Sequence, residues 1–369
     1  MIAGAMPGVT GGKRFRSWAE IQANAARAAG GLAARGVGEN GSVALMLRND
    51  FATFEVNMAA SQLGAYAVPI NWHFTPEEAN YILRDSGASV LVAHTDLLAQ
   101  IAGGVPEGVK IFAVPTPEEI AAAFGVAPDK LRVPAGAEAW DSFVAGSAPR
   151  TDPPRPARGS MIYTSGTTGR PKGVRRQPST PEQQAAGAQE AALFWGLTPD
   201  PATVVLMNGP MYHSAPAAYG MASARLGLHM VLQPRFEAED MLRLIAAHRI
   251  THMHIVPTMF VRLLRLPQEV RERYDISSLR FVSHGAAPCA PAVKRQMIEW
   301  WGPVINEYYG ATETGVVVWH GSEEALRKPG TGPAGLRWRP HEWPRSTRIA
   351  TGAVAALVVV VALVVARRR

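Results

Sequence analysis

Residues 163–173 read Tyr163-Thr164-Ser165-Gly166-Thr167-Thr168-Gly169-Arg170-Pro171-Lys172-Gly173. Two hydroxyl pairs, three glycines and the compact cation of Lys172 follow Ser160-Met161-Ile162-Tyr163, a short apolar run that reads as a strand. A strand that delivers such a loop suits a polyphosphate. Glycines let the backbone fold back so that several N–H groups converge on phosphate oxygens, hydroxyls add neutral donors, and lysine adds a point charge. A plain surface turn does not need so many donors beside a buried strand. The segment is not a Walker A loop, which places Ser or Thr after Gly-Lys, because Pro171 precedes Lys172 and Gly173 follows it.

Outward from the loop, strand and helix alternate. Upstream, Ser17 and Glu20 form a capping box ahead of a helix to Gly36, and strand 42–47 follows. A helix 51–64 closed by Gly64, strand 66–70, a helix opened by Thr75-Pro76-Glu77-Glu78 and ended near Gly87, and strand 89–93 complete the readable part. Downstream, helices are expected at 181–195, 215–226, 238–248, 258–266 and 291–301, with strands at 203–207, 229–232, 251–256, 280–284 and 304–307. This is the α/β pattern of parallel sheets covered on both faces. The run 148–158, Ala-Pro-Arg-Thr-Asp-Pro-Pro-Arg-Pro-Ala-Arg, cannot hold regular structure and divides a first β/α unit, 1–147, from a second, 159–330.

The 369 residues, 47% hydrophobic and 18% charged, describe a globular protein with a sizeable core. The formal charge is +7, but residues 331–369 carry seven arginines against Glu342 alone, so the body is near neutral and lacks the basic stripe of a nucleic-acid binder. A single cysteine, Cys289, and an N-terminus without a charged and then apolar leader fit a reducing, cytoplasmic compartment.

Four further segments carry chemistry. Ser283-His284-Gly285-Ala286-Ala287-Pro288 turns through small residues after a strand, so that backbone can approach a flat ring; alone it reads equally as a turn. Asn306-Glu307-Tyr308-Tyr309-Gly310-Ala311-Thr312-Glu313 offers a ring to stack on a purine and a carboxylate beside a hydroxyl to hold Mg²⁺. His213, in Met211-Tyr212-His213-Ser214-Ala215, reads on spacing alone as a structural histidine. His252 and His254 alternate along a strand, a metal pair or two structural histidines; no third ligand with suitable spacing accompanies them.

Together, the loop 163–173 and Tyr309-Gly310-Ala311-Thr312-Glu313 closely resemble the signature elements of the adenylate-forming superfamily, which includes acyl- and aryl-CoA ligases, luciferases and peptide-synthetase adenylation domains. The resemblance covers about residues 17–325 and implies two β/α subdomains of that superfamily's N-terminal domain. It implies that Thr164, Ser165, Gly166, Thr167, Thr168, Gly169 and Lys172 hold the phosphates of ATP. Gly285, Ala286, Ala287, Tyr308, Tyr309 and Gly310 would surround the adenine, with Tyr309 stacked on it; Thr312 would touch phosphate, and Glu313 with Thr164 would hold Mg²⁺. Lys172, Thr312 and Glu313 would then act in catalysis, and His213 would line the pocket of a carboxylic acid. The implied reaction is attack of the acid, fatty or similarly bulky, on the α-phosphorus of ATP, followed by thioester formation with coenzyme A. The alternative is an inactive remnant that binds nucleotide or acyl group, anchored to a membrane.

After Lys328-Pro329-Gly330-Thr331 the resemblance ends. The family continues with Val-Gly-Arg-Pro, a ribose-binding Thr-Gly-Asp, a hinge and a small domain carrying a lysine needed for adenylation, whereas here Gly332-Pro333-Ala334-Gly335 opens an irregular basic tail, 331–348, so the implied activity is expected to be impaired, far below that of a full-length ligase. Back-translation of Thr-Gly-Pro-Ala-Gly as ACC GGG CCG GCC GGG, with two bases restored, gives ACC GTG GGC CGG CCG GG, or Thr-Val-Gly-Arg-Pro. This motivates the hypothesis of a frameshift, which gene sequencing tests; it fails if no downstream frame encodes Thr-Gly-Asp. Residues 349–366 are eighteen without a charge, about 27 Å as a helix and so long enough to cross a bilayer core. They are a membrane anchor, an accidental product of the shifted frame, or both.

Overall fold

The computed structural model describes residues 7–164, 171–311 and 315–327. Where local signals are strongest, the expected elements form. Ser17 and Glu20 make the reciprocal capping box of helix Trp18–Ala34, and Thr75 and Glu78 that of Pro76–Ser86. Gly64 and Gly87 end their helices at φ 64° and 65°, in the left-handed region that glycine enters without a Cβ penalty.

A five-stranded sheet runs in the order Tyr66–Pro69, Ser42–Met46, Ala88–His94, Lys110–Val114, Glu138–Ala139, parallel throughout. Successive side chains leave opposite faces of a strand, so Val43 and Leu45 enter one apolar core and Ala44 and Met46 another. The alternation continues past the last element readable in the sequence, through helices Thr95–Gln100, Glu118–Phe124 and Trp140–Gly146.

The second sheet has eight strands, in the order Gly315–His320, Ile305–Ala311, Phe281–His284, His252–Ile255, Val204–Met207, His229–Leu232, Gly8–Gly11, Arg14–Ser17; only its two edge pairings are antiparallel. The division into 1–147 and 159–330 does not follow the sheets. Val9 pairs with Met230, so the N-terminal hairpin completes the far sheet. Gly8-Val9-Thr10-Gly11 is too short and too weakly apolar to announce that partner.

Helices Trp18–Ala34 and Phe51–Leu63 lie between the sheets. Trp18, Ile21, Phe51 and Phe54 pack toward the eight strands, and Ala28, Leu32, Val56 and Ala60 toward the five. Of the two, Phe51–Leu63 is apolar nearly all round, as a helix buried on both sides is. The exception proves well partnered: Glu55, 1% exposed, accepts from Arg16 (2.6 Å), Asn24 (2.8 Å) and the Trp140 indole (2.8 Å), which satisfies a charge that could not be buried alone.

The proline-rich run has no regular structure, as expected, but it lies along these helices: Arg150 N–H donates to Ala26 O (2.9 Å) and Arg155 N–H to Gln62 O (3.0 Å). The strand expected at 160–163 shrinks to Tyr163–Thr164, while the fully buried Met161 reaches Ala67 O with its N–H (2.9 Å).

Candidate functional site

The two ends of the loop are paired as short strands. Tyr163–Thr164 pairs antiparallel with Lys172–Gly173, setting Thr164 opposite the exposed Lys172 and Tyr163 opposite Gly173. A Cβ on Gly173 would stand 2.7 Å from the Tyr163 ring, so this crossing needs glycine. The hairpin is fastened to the five-stranded unit. Tyr163 Oη donates to Asp85 (2.6 Å), Tyr81 Oη to Pro171 O (3.0 Å), Tyr66 Oη to Arg176 O (3.0 Å) and Arg175 to Ser86 O (3.1 Å). Burial and then the Asp85 carboxylate raise the Tyr163 pKa, which keeps the phenol a donor. Residues 165–170, with the expected phosphate contacts Ser165 to Gly169, lie outside the described residues, as do Thr312, Glu313 and everything from 328 onward, including 349–366. Among the described residues no helix is long and apolar enough to cross a membrane.

The small-residue turn leaves the carboxyl end of Phe281–His284. Gly285 is buried, Ala286 takes φ 66°, and Ala286 and Ala287 are exposed. A Cβ on Gly285 would stand 2.6 Å from Cζ of Tyr308. The neighbouring strand is longer than expected, Ile305–Ala311, and its alternation separates the two tyrosines. Tyr309 is 61% exposed, whereas Tyr308 is 6% exposed and hydrogen-bonded to His254 Nε2 at 2.7 Å. Tyr309 thus offers a free ring face beside Gly310, and Tyr308 supports the turn from beneath. Burial lowers the His254 pKa to about 4, leaving a neutral imidazole at pH 7.

Two positions before Tyr309, Glu307 is buried and takes an ion pair from Lys294, with His320 Nε2 at 2.7 Å. Lys294 lies in helix Pro291–Trp301, which follows the turn, so the pair holds turn and strand together. Neither Lys294 nor the His254–Tyr308 bond was legible: a lone helical lysine reads as surface, and 54 residues separate the histidine from its partner. His252 rests on Thr251 Oγ1 (2.8 Å). Among the described residues no group of three His, Cys, Asp or Glu side chains could hold a metal ion.

After Val204–Met207 the chain places His229–Leu232 on one side and His252–Ile255 on the other. Ligand crevices of open α/β sheets form outside the carboxyl ends of strands at such a reversal. His213 is here, exposed, as N-cap residue of helix Ser214–Arg225, its ring 4.4 Å from that of Tyr212; Trp72 meets Tyr212 edge-on at 4.6 Å. Partial burial, and then His73, lower the His213 pKa. Asn49 of the other unit holds this loop, donating from Nδ2 to Gly209 O (2.8 Å) and accepting the Met211 N–H at Oδ1 (3.0 Å).

Asn49 has buried ionic neighbours. Arg48 makes a bidentate pair with Asp96 (3.0 and 2.8 Å), which also accepts from Thr116 (2.6 Å). Asp50 meets Arg14 at 2.8 Å and His94 at 3.5 Å. Burial alone would raise the Asp50 pKa, but His94 and Arg14 outweigh it and hold the carboxyl down to about 2.

The α/β fold is that of the adenylate-forming enzymes' N-terminal domain. The AMP-binding enzyme family matches residues 5–343, and the chain belongs to it. It is 30% identical over 314 residues to 4-coumarate–CoA ligase 5 of Oryza sativa, covering 82% of this chain and 53% of that protein. It is 28% identical over 322 residues to a long-chain-fatty-acid–CoA ligase of Mycobacterium tuberculosis, covering 85% of this chain and 58% of that one. Among solved structures, the inhibitor-bound N-terminal domain of FACL13 from M. tuberculosis is similar with a TM-score of 0.70 and 26% identity, over 88% of this chain and 77% of that one. The chain therefore spans little more than half the length of these curated relatives.

Proposed function

We propose that this chain binds ATP and a carboxylic acid and activates the acid as its acyl-adenylate, with coenzyme A as the later acceptor. The observation that carries this is the antiparallel pair that presents Thr164 opposite an exposed Lys172 and is hydrogen-bonded to Tyr66, Tyr81, Asp85 and Ser86. In this reading Lys172, Thr312 and the loop hydroxyls neutralise charge developing on the phosphates, and the exposed ring of Tyr309 stacks on adenine. Glu313, with Thr164, would hold Mg²⁺, an oxygen-liganded ion that supplies further charge neutralisation when bound. His213 lines the acid side. The protein's part in the step is positional: it holds the carboxylate in line with the α-phosphorus while pyrophosphate leaves.

The names of the relatives favour fatty or hydroxycinnamic acids as substrates to try first. Pyrophosphate release is measured with MgATP and a panel of fatty, aromatic and bile acids. Acid-dependent release is expected, reduced on the order of 10²-fold by Lys172→Ala. MgATP binding without release with any acid would favour the second reading, an inactive nucleotide- or acyl-binding remnant. The uncharged run 349–366 is proposed to attach the chain to membranes. A chain ending at Gly330 should then stay in the supernatant without detergent while the full chain does not; identical partitioning would refute the attachment.

A further inference from the structure

We infer that Asn49 is a positioning residue, which sets the acid-side loop of the eight-stranded unit in register with the phosphate hairpin carried by the five-stranded unit. The inference rests on the reading of His213 as the acid contact and goes beyond it to what places that contact. By its hydrogen bonds the hairpin belongs to the first unit: Asp85, Tyr81, Tyr66 and Ser86 all lie before the proline-rich run. The loop before His213 leaves the central strand of the other sheet. In-line transfer between groups on two bodies needs those bodies fixed to a fraction of an ångström.

Asn49 crosses that junction with both ends of its amide. Nδ2 donates to Gly209 O and Oδ1 accepts from Met211 N–H, so a flipped amide would set oxygen against oxygen and N–H against N–H. The side chain is buried, and its own backbone is held on both sides. Arg48 N–H donates to His94 Nδ1 (3.1 Å), the Arg48 side chain is paired with Asp96, and Asp50 is paired with Arg14. Besides Asn49, the loop is held by His213 N–H on Pro210 O (3.1 Å), by the Tyr212 ring against Trp72 (4.6 Å), by the buried Met211 and by Asn208 Nδ2 at 3.3 Å from the weak acceptor Met259 Sδ. Asn49 thus transmits the rigidity of the Arg48–Asp96 and Asp50–Arg14 pairs to the backbone that ends in His213.

The test separates the two halves of the site. The full chain, Asn49→Ala, Asn49→Ser and Tyr163→Phe are titrated calorimetrically with MgATP and, separately, with dodecanoate and 4-coumarate, and hydrogen exchange is followed at 209–213. Both Asn49 variants should raise exchange at Met211 and weaken whichever acid binds by about tenfold, the loss expected from one buried hydrogen-bonded contact. MgATP affinity should stay within about twofold, because the hairpin anchors are intact. Tyr163→Phe should do the reverse. Equal losses for both ligands in the Asn49 variants, unchanged acid affinity, or unchanged exchange at 209–213 would each overturn the assignment. If the unsubstituted chain binds neither acid while exchange rises as expected, the functional reading fails and with it the role of Asn49, whereas the mechanical link alone survives. Thermal unfolding identifies a variant that fails to fold; the serine variant, which keeps a polar group, then decides.

Discussion

Gly285→Ala tests the close packing of the small-residue turn on Tyr308. Its Cβ would lie 2.6–2.8 Å from three atoms of the Tyr308 ring, against a comfortable carbon–carbon separation of about 3.5–4.0 Å. Something must move by about 1 Å. The ring is the obvious candidate, but it is 6% exposed and tied to His254 at 2.7 Å, so yielding would break a buried hydrogen bond. That costs about 1–3 kcal/mol, and if the strands part instead, overpacking costs a similar 1–3 kcal/mol. The melting temperature should fall by several degrees, at about 2–4 °C per kcal/mol for a body of this size. Displacement of the turn should also weaken MgATP by about tenfold or more in calorimetric titration. Tyr308→Leu, which removes the obstructing ring, should recover part of the loss when combined with Gly285→Ala, because contacting residues couple. Unchanged melting and unchanged MgATP affinity in Gly285→Ala would refute the reasoning.

Three further outcomes are expected. Ala286→Gly relieves a left-handed alanine and should stabilise the fold by about 1 kcal/mol in denaturant unfolding; a loss of stability would show that the turn is held by contacts of the methyl. His254 has a folded pKa of about 4, below an ordinary value near 6.5, so between these the unfolded chain binds more protons and stability falls as pH drops from about 6.5 to 4, by about 3 kcal/mol for this group. His254→Phe should flatten that limb of the stability curve, and an unchanged slope would remove His254 as its source, leaving His252, which burial lowers to about 4, and His284, which burial lowers well below the ordinary value. Lys294→Met leaves Glu307 with His320 as its remaining ionic neighbour and should destabilise by about 3–5 kcal/mol, while Lys294→Met with Glu307→Leu should cost less; equal losses in thermal unfolding would contradict a buried pair.

What could be read from the sequence was local. Ser17 with Glu20 and Thr75 with Glu78 satisfy one another within three residues, and Gly64 and Gly87 act at their own φ, so the sequence alone specifies these helix ends. Segment 95–147 carries no clear sequence signal because its elements are short; helix Thr95–Gln100 has six residues and strand Glu138–Ala139 two. The site divided along the same line. Gly285 and Tyr309 were legible as a turn and a ring, but alternation within a strand longer than expected decides that Tyr308 faces inward. The Asn49 clamp spans 160 residues, and nothing near Asn49 names Gly209.

The placement of Gly8–Gly11 between Arg14–Ser17 and His229–Leu232 has a consequence for the order of events at the ribosome. Thr10 and His229 are 219 positions apart, so the strand Gly8–Gly11 waits for the synthesis of all the residues between them before the neighbour on its open edge exists. At about 5–20 residues per second that delay is on the order of ten seconds or more. The five-stranded unit can form in the meantime, with the Trp18–Ala34 helix docked on one side and Trp18 and Ile21 still facing water on the other. A nascent chain with an unpaired strand and a half-covered helix layer is the kind of species that chaperones bind, and slowing synthesis after residue 164 should therefore lower soluble yield more than slowing it before residue 42.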